Sequence, residues 1–350
     1  MAELLHPLTI GNVTIPNNLV LSPMAGFSDL PFRVLCRKHG AGLVSSEMVA
    51  AGGVGREAPH PTQRMRVSDL EHPTSIQLFG TDPVEVENAA RAVEANCEIL
   101  GFNMGCPAPQ IKRQGCGAAL LDHPERCEEL VRAVKRGSNK PLLVKMRAGN
   151  GGLIDFLALG KRLESAGADA FIFHARTAAQ GYSGKADWHY IRRLKEHISV
   201  PVIGNGDIRT GRDARNAIEV SGADGVALGR ATLGDPRVFS RIAHFLQHGI
   251  EPPVPTPQER AADYLEYLDM ADGLGFHNVR LIQQAQRFTN GLEGGKELRE
   301  ALRGHVPIRV VREGFERLRD TGSARAAAQA LPPSRGAQAA LAGTDSVAAP

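Results

Sequence analysis

The alternation of short apolar runs with helical segments constrains the fold of this chain more than any other feature. Eight runs are rich in apolar and β-branched residues, and each leads through turn residues into a following segment. The repeat is roughly 25 to 40 residues long, the length of a strand–helix unit in a parallel sheet. The predicted strands span residues 19–21, 42–47, 74–79, 99–103, 142–147, 170–174, 202–205 and 225–229.

Eight such units match a closed (β/α)8 barrel, a TIM barrel of the α/β class, over residues 1–248. An open doubly wound sheet is the alternative. Two turns favour the barrel, because Gly204-Asn205-Gly206-Asp207 and Gly229-Arg230 follow the seventh and eighth strands, where barrel enzymes commonly bind phosphate. A dinucleotide-binding sheet would carry G-x-G-x-x-G after its first strand, and Pro23-Met24-Ala25-Gly26 does not match that pattern.

A second region follows a proline-dense linker, residues 249–258. Helical patterns at 259–274, 279–291, 295–302 and 308–319 predict an antiparallel helical bundle within residues 259–320. Between residues 280 and 319, nine basic residues stand against five acidic ones, which fits either a nucleic-acid-binding surface or an ordinary solvated face. Residues 321–350 are rich in Ala, Pro, Ser and Gly, so we expect them to be disordered.

Charge and cysteine content argue against several classes of protein. Lys and Arg number 41 against 38 Asp and Glu, so the net charge of +3 does not by itself indicate a nucleic-acid ligand. The five cysteines include no C-x-x-C pair, so we expect no metal site. Residues 1–10 lack a signal-peptide pattern and no apolar run approaches about 20 residues, which predicts no membrane span and a cytoplasmic protein.

Polar and turn residues collect at the predicted carboxyl ends of the strands. In a barrel these ends meet at one rim, so residues far apart in the sequence would form one site. Gln77, Lys145 and His174 each interrupt an otherwise apolar run, which makes them the strongest candidates. The full set is Pro23, Met24, Ala25, Glu47, Gln77, Asn103, Cys106, Lys145, Arg147, His174, Arg176, Asn205, Gly206, Asp207, Gly229 and Arg230.

Two of these side chains have a structural alternative. A lysine inside a buried strand loses its hydration, so Lys145 predicts an anionic cofactor or substrate unless it pairs with Glu47 or Asp207. His174 ends the apolar run 171–173, where a hydrogen-bonded core histidine competes with a functional one.

Cys106 follows the fourth predicted strand, between Gly105 and Pro107. It could be a small buried residue, a nucleophile or a proton donor. A free cysteine thiol has a pKa of about 8.5 and carries its proton at pH 7, so donation is chemically reasonable. No Cys–His–Asn constellation is evident, which disfavours covalent catalysis, and Cys116 is the rival thiol.

Taken together, these motifs resemble the tRNA-dihydrouridine synthases, a family of flavin-dependent barrel enzymes. The resemblance extends over about residues 19–238, and within the family the sequence is most similar to the bacterial B-type branch. The motifs that carry it are Pro23-Met24-Ala25-Gly26, Asp29-Leu30-Pro31-Phe32-Arg33, Ser46-Glu47-Met48, Gln77-Leu78-Phe79-Gly80, Asn103-Met104-Gly105-Cys106-Pro107, Val144-Lys145-Met146-Arg147, His174-Ala175-Arg176-Thr177, Asn205-Gly206-Asp207-Ile208 and Leu228-Gly229-Arg230-Ala231.

The resemblance implies an enzyme that reduces the 5,6-double bond of specific tRNA uridines with FMN, recharged by NADPH or NADH. A hydride would reach C6 from the flavin and a proton would reach C5 from Cys106, the catalytic residue. The cofactor-binding residues would be Pro23, Met24, Ala25, Gln77, Lys145, His174, Asn205, Gly206, Asp207, Gly229 and Arg230. The substrate-binding residues would be Asn103, Arg147 and Arg176, with tRNA phosphates held by the C-terminal helices.

The chain departs from the family pattern in two loops, residues 148–153 and 180–184. Three alternatives stay open: an FMN-dependent reductase of a free pyrimidine, a phosphate-ester isomerase or lyase without flavin, and an RNA-binding protein with an inactive barrel. The helical region argues against the first, because a free base needs no such platform.

Overall fold

Eight parallel strands form the barrel in the computed structural model, which describes residues 3–54, 63–276, 278–302 and 306–331. We number the barrel strands alone, and every predicted strand is present. They are β1 (Leu19–Leu21), β2 (Val44–Ser45), β3 (Thr74–Phe79), β4 (Ile99–Met104), β5 (Leu142–Gly149), β6 (Ala170–Thr177), β7 (Val202–Asn205) and β8 (Gly225–Leu228).

Each strand pairs in parallel with its neighbours in sequence, in the order β1-β8-β7-β6-β5-β4-β3-β2. The ring closes between β1 and β2 through a parallel bridge from Val20 to Leu43, where the Leu21 N–H donates to the Leu43 carbonyl at 2.8 Å. The (β/α)8 prediction is therefore confirmed, and the open doubly wound alternative is wrong.

Helices cover the outside of the barrel, and several begin at an aspartate. The carboxylates of Asp29, Asp82, Asp155 and Asp187 each accept from a backbone N–H of the first helical turn. The barrel helices that we number are α1 (Leu30–Lys38), α2 (Pro83–Val93), α3 (Pro124–Gly137), α4 (Phe156–Ala166), α5 (Trp188–His197), α6 (Gly211–Ser221) and α7 (Val238–His248).

A hairpin of Leu8–Ile10 and Val13–Ile15 was not predicted from the sequence. Its side chains Leu8, Ile10 and Ile15 pack with inward-facing residues from the starts of the barrel strands, such as Leu143 and Ile172. The hairpin thus closes the amino-terminal end of the barrel, which leaves the opposite end for a site.

Contacts divide the chain into two compact units, residues 1–232 with 237–252, and residues 233–236 with 253–350. The second unit is helical, and Thr256 caps its first helix through a reciprocal capping box with Glu259. Its helices are α8 (Pro257–Ala271), α9 (Asn278–Phe288), α10 (Gly295–Ala301), α11 (Ile308–Thr321) and α12 (Ala324–Gln329). None of the described helices is long and apolar enough to cross a membrane.

The prediction of disorder for residues 321–350 is wrong for α12. Ser323 caps this helix by accepting from the Ala326 N–H, and Ala324 and Ala327 are buried. Alanine has the highest helix propensity, so a stretch without large apolar residues still forms a helix once it has neighbours to pack on. Residues 332–350 and Arg303 lie outside the described part of the chain.

Candidate functional site

The inward-facing positions of β5 and β6 change from apolar to polar or charged along each strand. Alternate residues of a strand face the same side. On β5 the inward positions are therefore Leu143, Lys145 and Arg147, and on β6 they include Ile172 and His174, followed by Arg176. Strand register places Asn103 beside Lys145, and His174 between Arg147 and Asn205. The predicted strand-end residues thus form one continuous polar band at the carboxyl end of the barrel.

Lys145 is a buried amine with no counter-ion in the described part of the chain. It is 9% exposed and makes no hydrogen bond or ion pair with any other described residue. Burial lowers its pKa to about 7, and repulsion from Arg147 acts in the same direction. The alternative in which Lys145 pairs with Glu47 or Asp207 is therefore wrong. Such an ammonium group is suited to meet an anionic ligand.

Asn103 organises the turn that carries Cys106. Its side-chain oxygen accepts from the backbone N–H groups of Gly105 at 3.1 Å and Cys106 at 2.9 Å. Its amide nitrogen donates to Gln77 Oε1 at 2.8 Å. This bond orients the side chain of Gln77, which is predicted to bind the flavin. The amide of Asn103 is thus already bonded to protein atoms, and the structure places this residue in the wall of the site.

Cys106 is partly exposed, whereas its rival Cys116 is buried. The backbone of Cys106 is fixed on both sides, because its carbonyl also accepts from the Ala118 N–H at 3.0 Å. Burial raises the pKa of the Cys116 thiol, whose sulfur faces the Gln114 carbonyl at 3.6 Å. Accessibility therefore favours Cys106 as the reacting thiol.

Arg147 supports the same turn from the neighbouring strand. Its Nε donates to the Gly105 carbonyl at 2.8 Å, and one terminal nitrogen donates to the Thr177 carbonyl at 3.2 Å. This predicted substrate ligand is 4% exposed. Burial lowers the pKa of Arg147, and nearby Tyr182 opposes that shift.

His174 remains a neutral imidazole. Burial lowers its pKa to about 2, and four surrounding cations, Arg147, Lys145, Arg176 and Arg230, add to the effect. Its Nε2 is buried and has no hydrogen-bond partner among the described residues. A structural core histidine would satisfy that nitrogen, so the orphaned atom indicates a ligand.

Arg176 and Asp207 form an ion pair at the next strand end. The shortest contact joins a terminal nitrogen of Arg176 to Asp207 Oδ2 at 2.7 Å, and the Ala186 N–H donates to the same oxygen at 2.8 Å. Burial acts to raise the pKa of Asp207, but these donors hold it below the ordinary value. The Asp207 carboxylate is thus bonded to protein donors, whereas the buried Nη1 of Arg176 has no hydrogen-bond partner among the described residues.

Glycines occupy the turns after β7 and β8, where the sequence predicts a phosphate site. Gly206 has φ of +133°, and a Cβ there would lie 2.6 Å from that of Ala186. A Cβ added at Gly229 would be in ordinary contact with Met24 Sδ, at 3.7 Å, so Gly229 lies against the Pro23-Met24-Ala25 strand end. Arg230, with a side chain 46% exposed, follows this glycine.

The first strand end is also held in a defined shape. The Met24 N–H donates to Ser28 Oγ at 2.9 Å, and the Gly26 N–H donates to Glu47 Oε1. Asn205 donates to Ser22 Oγ at 3.2 Å and to the Ala227 carbonyl at 2.7 Å, which joins β7 to its neighbours. Pro23-Met24-Ala25 therefore presents a fixed backbone surface beside the polar band.

These features fit an anionic cofactor that carries a phosphate. The ammonium of Lys145, unpaired among the described residues, and the orphaned His174 Nε2 are both explained by such a ligand. Among the described residues, no group of three or more His, Cys, Asp or Glu side chains could hold a metal ion.

Sequence reasoning missed Tyr182 and the structural role of Glu47. Glu47 was noted at a strand end, but nothing in the sequence showed that its carboxylate binds the Gly26 N–H. Tyr182 is 62% exposed in the loop after β6. The available signal in the sequence was that Tyr182, one of four tyrosines in the chain, lies between Gly181 and Gly184.

Comparison with known proteins agrees with this geometry. A family model described as dihydrouridine synthase (Dus) matches residues 20–326. tRNA-dihydrouridine synthase B of Pseudomonas putida is 39% identical over 267 residues, covering 74% of this chain and 77% of that protein. Probable tRNA-dihydrouridine synthase 1 of Synechocystis is 35% identical over 319 residues, covering 89% and 88%.

Solved structures support the fold. The crystal structure of TcOYE with pHBA superimposes with a TM-score of 0.53 at 14% identity, covering 76% of this chain and 99% of that one. A structure of 6-hydroxypseudooxynicotine amine oxidase from Pseudomonas geniculata gives a TM-score of 0.54 at 16% identity, covering 76% and 52%. At these identities the likeness concerns the barrel alone.

Proposed function

We propose the following function for this chain, which belongs to the dihydrouridine synthase family. It is a flavin-dependent oxidoreductase that reduces the 5,6-double bond of uridines in tRNA. The observation that carries the proposal is the juxtaposition, on neighbouring strand ends, of the partly exposed thiol of Cys106 and of Lys145, which has no counter-ion among the described residues. A tRNA substrate also makes the cytoplasm the proposed location.

FMN is the proposed cofactor, and bound FMN would supply the hydride that C6 of the uracil requires. Lys145 and Gln77 would meet the polar edge of its ring, and Pro23-Met24-Ala25 would lie along the ring. The backbone N–H groups around Gly206 and Gly229, with the charge of Arg230, would hold the phosphate. NADPH is the proposed reductant, with NADH as the alternative.

Cys106 is the proposed proton donor. Adding hydride to C6 leaves negative charge that extends to C5, and a proton must reach C5 to complete the reduction. The thiol holds that proton at Sγ, and the Sγ–H bond breaks as the C5–H bond forms. Asn103 and Arg147 fix the turn on both sides of Gly105, so they hold the donor in place.

His174 would contribute as a neutral hydrogen-bonding group. Its pKa of about 2 means that it carries no positive charge at physiological pH, so it cannot compete with Cys106 as the acid. Its free Nε2 would bind the cofactor or the uracil. Arg147 and Arg176 are buried at the same strand ends, and their positive charge would favour the negatively charged substrate.

The experiment has two parts. Nucleoside mass mapping of tRNA from a deletion strain should show a uridine where the parent strain has dihydrouridine. Purified Cys106→Ala should retain flavin and tRNA affinity but lose roughly 100- to 10,000-fold in turnover, the range for removal of a general acid.

Cys116→Ala is the matched control, because it removes a neighbouring thiol that is buried. Its turnover should stay within about twofold of the parent enzyme. Equal losses in both variants would reject the proton-donor assignment, and unchanged dihydrouridine in the deletion strain would reject the activity. A colourless protein would favour the isomerase alternative.

A further inference from the structure

The loop after β6 presents an aromatic ring at the mouth of the barrel. Tyr182 lies five residues beyond Thr177, the last residue of β6, and is 62% exposed. A single exposed aromatic ring is ordinary on a protein surface, so the groups around the ring decide whether it can bind a ligand. The proposed cofactor contacts described above do not require this side chain.

The loop is held by its own hydrogen bonds. The Thr177 N–H donates to Gln180 Oε1 at 2.7 Å, and the Ser183 N–H donates to the Gln180 carbonyl at 2.8 Å. Arg176 then binds the carbonyls of Ser183 at 3.2 Å and Gly184 at 2.7 Å. The ring is therefore attached to an ordered backbone, which reduces the entropy lost when a ligand stacks on it.

One side of the ring is occupied by a guanidinium group. The Cζ of Arg230 lies 3.9 Å from the centroid of the Tyr182 ring, which is cation–π geometry. The same guanidinium lies 3.6 Å from Asp207, whose carboxylate is bound by Arg176. The remaining exposed surface of Tyr182 faces solvent on a positively charged rim.

A rim with an aromatic ring and positive charge is complementary to a single-stranded stretch of RNA. A nucleobase offers a flat π-surface for the ring, and its phosphate is attracted to the positive charge at this rim. A uridine that leaves its stack to enter the barrel also exposes the base next to it. That neighbouring base needs a new stacking partner at the mouth.

We propose that Tyr182, supported by Arg230, is the stacking platform for the nucleobase that adjoins the reduced uridine. This inference rests on the proposed function and adds a substrate-binding residue to it. Tyr182 takes no part in hydride or proton transfer. Its contribution is to hold the RNA beside the open site while the target base is inside.

The test uses the holoenzyme and unmodified tRNA. Tyr182→Ala should raise both the Kd and the KM for tRNA roughly 5- to 30-fold, which corresponds to about 1–2 kcal/mol of base stacking. Tyr182→Phe and Tyr182→Trp should stay within about twofold of the parent enzyme. Flavin content and the rate of flavin reduction by NADPH should not change.

Val220→Ala is the control, because it truncates another exposed side chain, at the far end of α6. Unchanged tRNA affinity in Tyr182→Ala would overturn the platform. Loss of flavin, or a raised KM for NADPH alone, would overturn it by assigning the ring to a cofactor. An equal defect in Tyr182→Phe would overturn stacking in favour of the hydroxyl. Absence of dihydrouridine formation by the parent enzyme would identify a failure of the proposed function instead.

Discussion

The cations at the barrel mouth differ in how the protein satisfies them. Arg176 is bound by Asp207 and by loop carbonyls, and Arg147 is bound by two carbonyls. Lys145 has neither kind of partner among the described residues. A buried charge without a partner lowers stability, so the flavin-free protein carries a cost at this position that a bound anion would remove.

Lys145→Met should therefore stabilise the flavin-free protein at pH 7 while weakening flavin binding. Because burial lowers the native pKa of Lys145 to about 7 from 10.5, the unfolded chain binds more protons than the native protein between those values. The stability of the flavin-free parent should therefore rise with pH across this interval. That contribution to the slope should disappear in Lys145→Met.

Urea unfolding of flavin-free protein at several pH values measures this effect. Flavin titration of the same samples measures the expected loss of affinity. A variant that is less stable than the parent at pH 7 would show that Lys145 has a structural partner after all. A retained pH slope would assign the proton uptake to another group.

The sequence predicted which residues lie together at the carboxyl end of the barrel better than it predicted their contacts. Lys145 and His174 could be found because each polar group interrupts a buried run. The engagement of Asn103 with Gly105 and Cys106 could not be found, because it depends on the path of the turn. For the same reason the sequence did not show that the side chain of Asp207 is bound by Arg176.

At the level of elements, the two-residue period of the strands explains both the barrel and the site. On β5, Val144 and Met146 face the helical layer, while Lys145 and Arg147 face inward. The sequence predicted all eight strands because each is an apolar run that leads into a following segment. It missed the hairpin Leu8–Ile15, whose two short strands resemble any apolar segment near a turn, and it missed α12.

Gly204 of β7 shows how closely a helix approaches the sheet. A Cβ at this position would lie 2.3 Å from Cζ3 of Trp188 in α5. Gly204→Ala should therefore lower the free energy of unfolding by about 1–3 kcal/mol, the usual effect of overpacking. Flavin affinity per folded molecule should change little, because the added methyl group points away from the barrel interior.

The substitution Trp188→Phe replaces the indole by a smaller ring and should relieve the clash with the methyl group at position 204. In a double-mutant cycle, Gly204→Ala should be better tolerated in the Trp188→Phe background than in the parent. Thermal or urea unfolding of the four proteins measures the interaction. Additive effects would mean that the clash is relieved elsewhere, and a specific loss of flavin would mean that the β7 end has moved.

Over the whole molecule, the net charge of +3 hides an uneven distribution. In α11 the residues Val310, Val311 and Phe315 are buried, whereas Arg309 and Arg317 are exposed. The sequence could place the basic surplus in the helical unit but could not separate exposed arginines from paired ones. Arg312, for example, lies 2.8 Å from Asp269.

If α11 contacts tRNA phosphates, removing Arg309 and Arg317 should change how tRNA affinity depends on salt. Each phosphate contact releases condensed cations, so the slope of log K against log salt should become shallower by about 1.4–1.8 for the pair. The loss of affinity should accordingly be largest at low salt. Fluorescence anisotropy with labelled tRNA at several salt concentrations measures both quantities.

Arg132→Ala with Arg192→Ala is the matched control for the Arg309→Ala, Arg317→Ala pair. It removes the same charge from the barrel helices α3 and α5, where both side chains are more than half exposed. A purely long-range effect of net charge would shift both double variants alike, whereas phosphate contacts on α11 would change the slope only for the first. Equal slopes in all three proteins would show that α11 does not grip the RNA backbone, and the basic surplus would then be an ordinary solvated face.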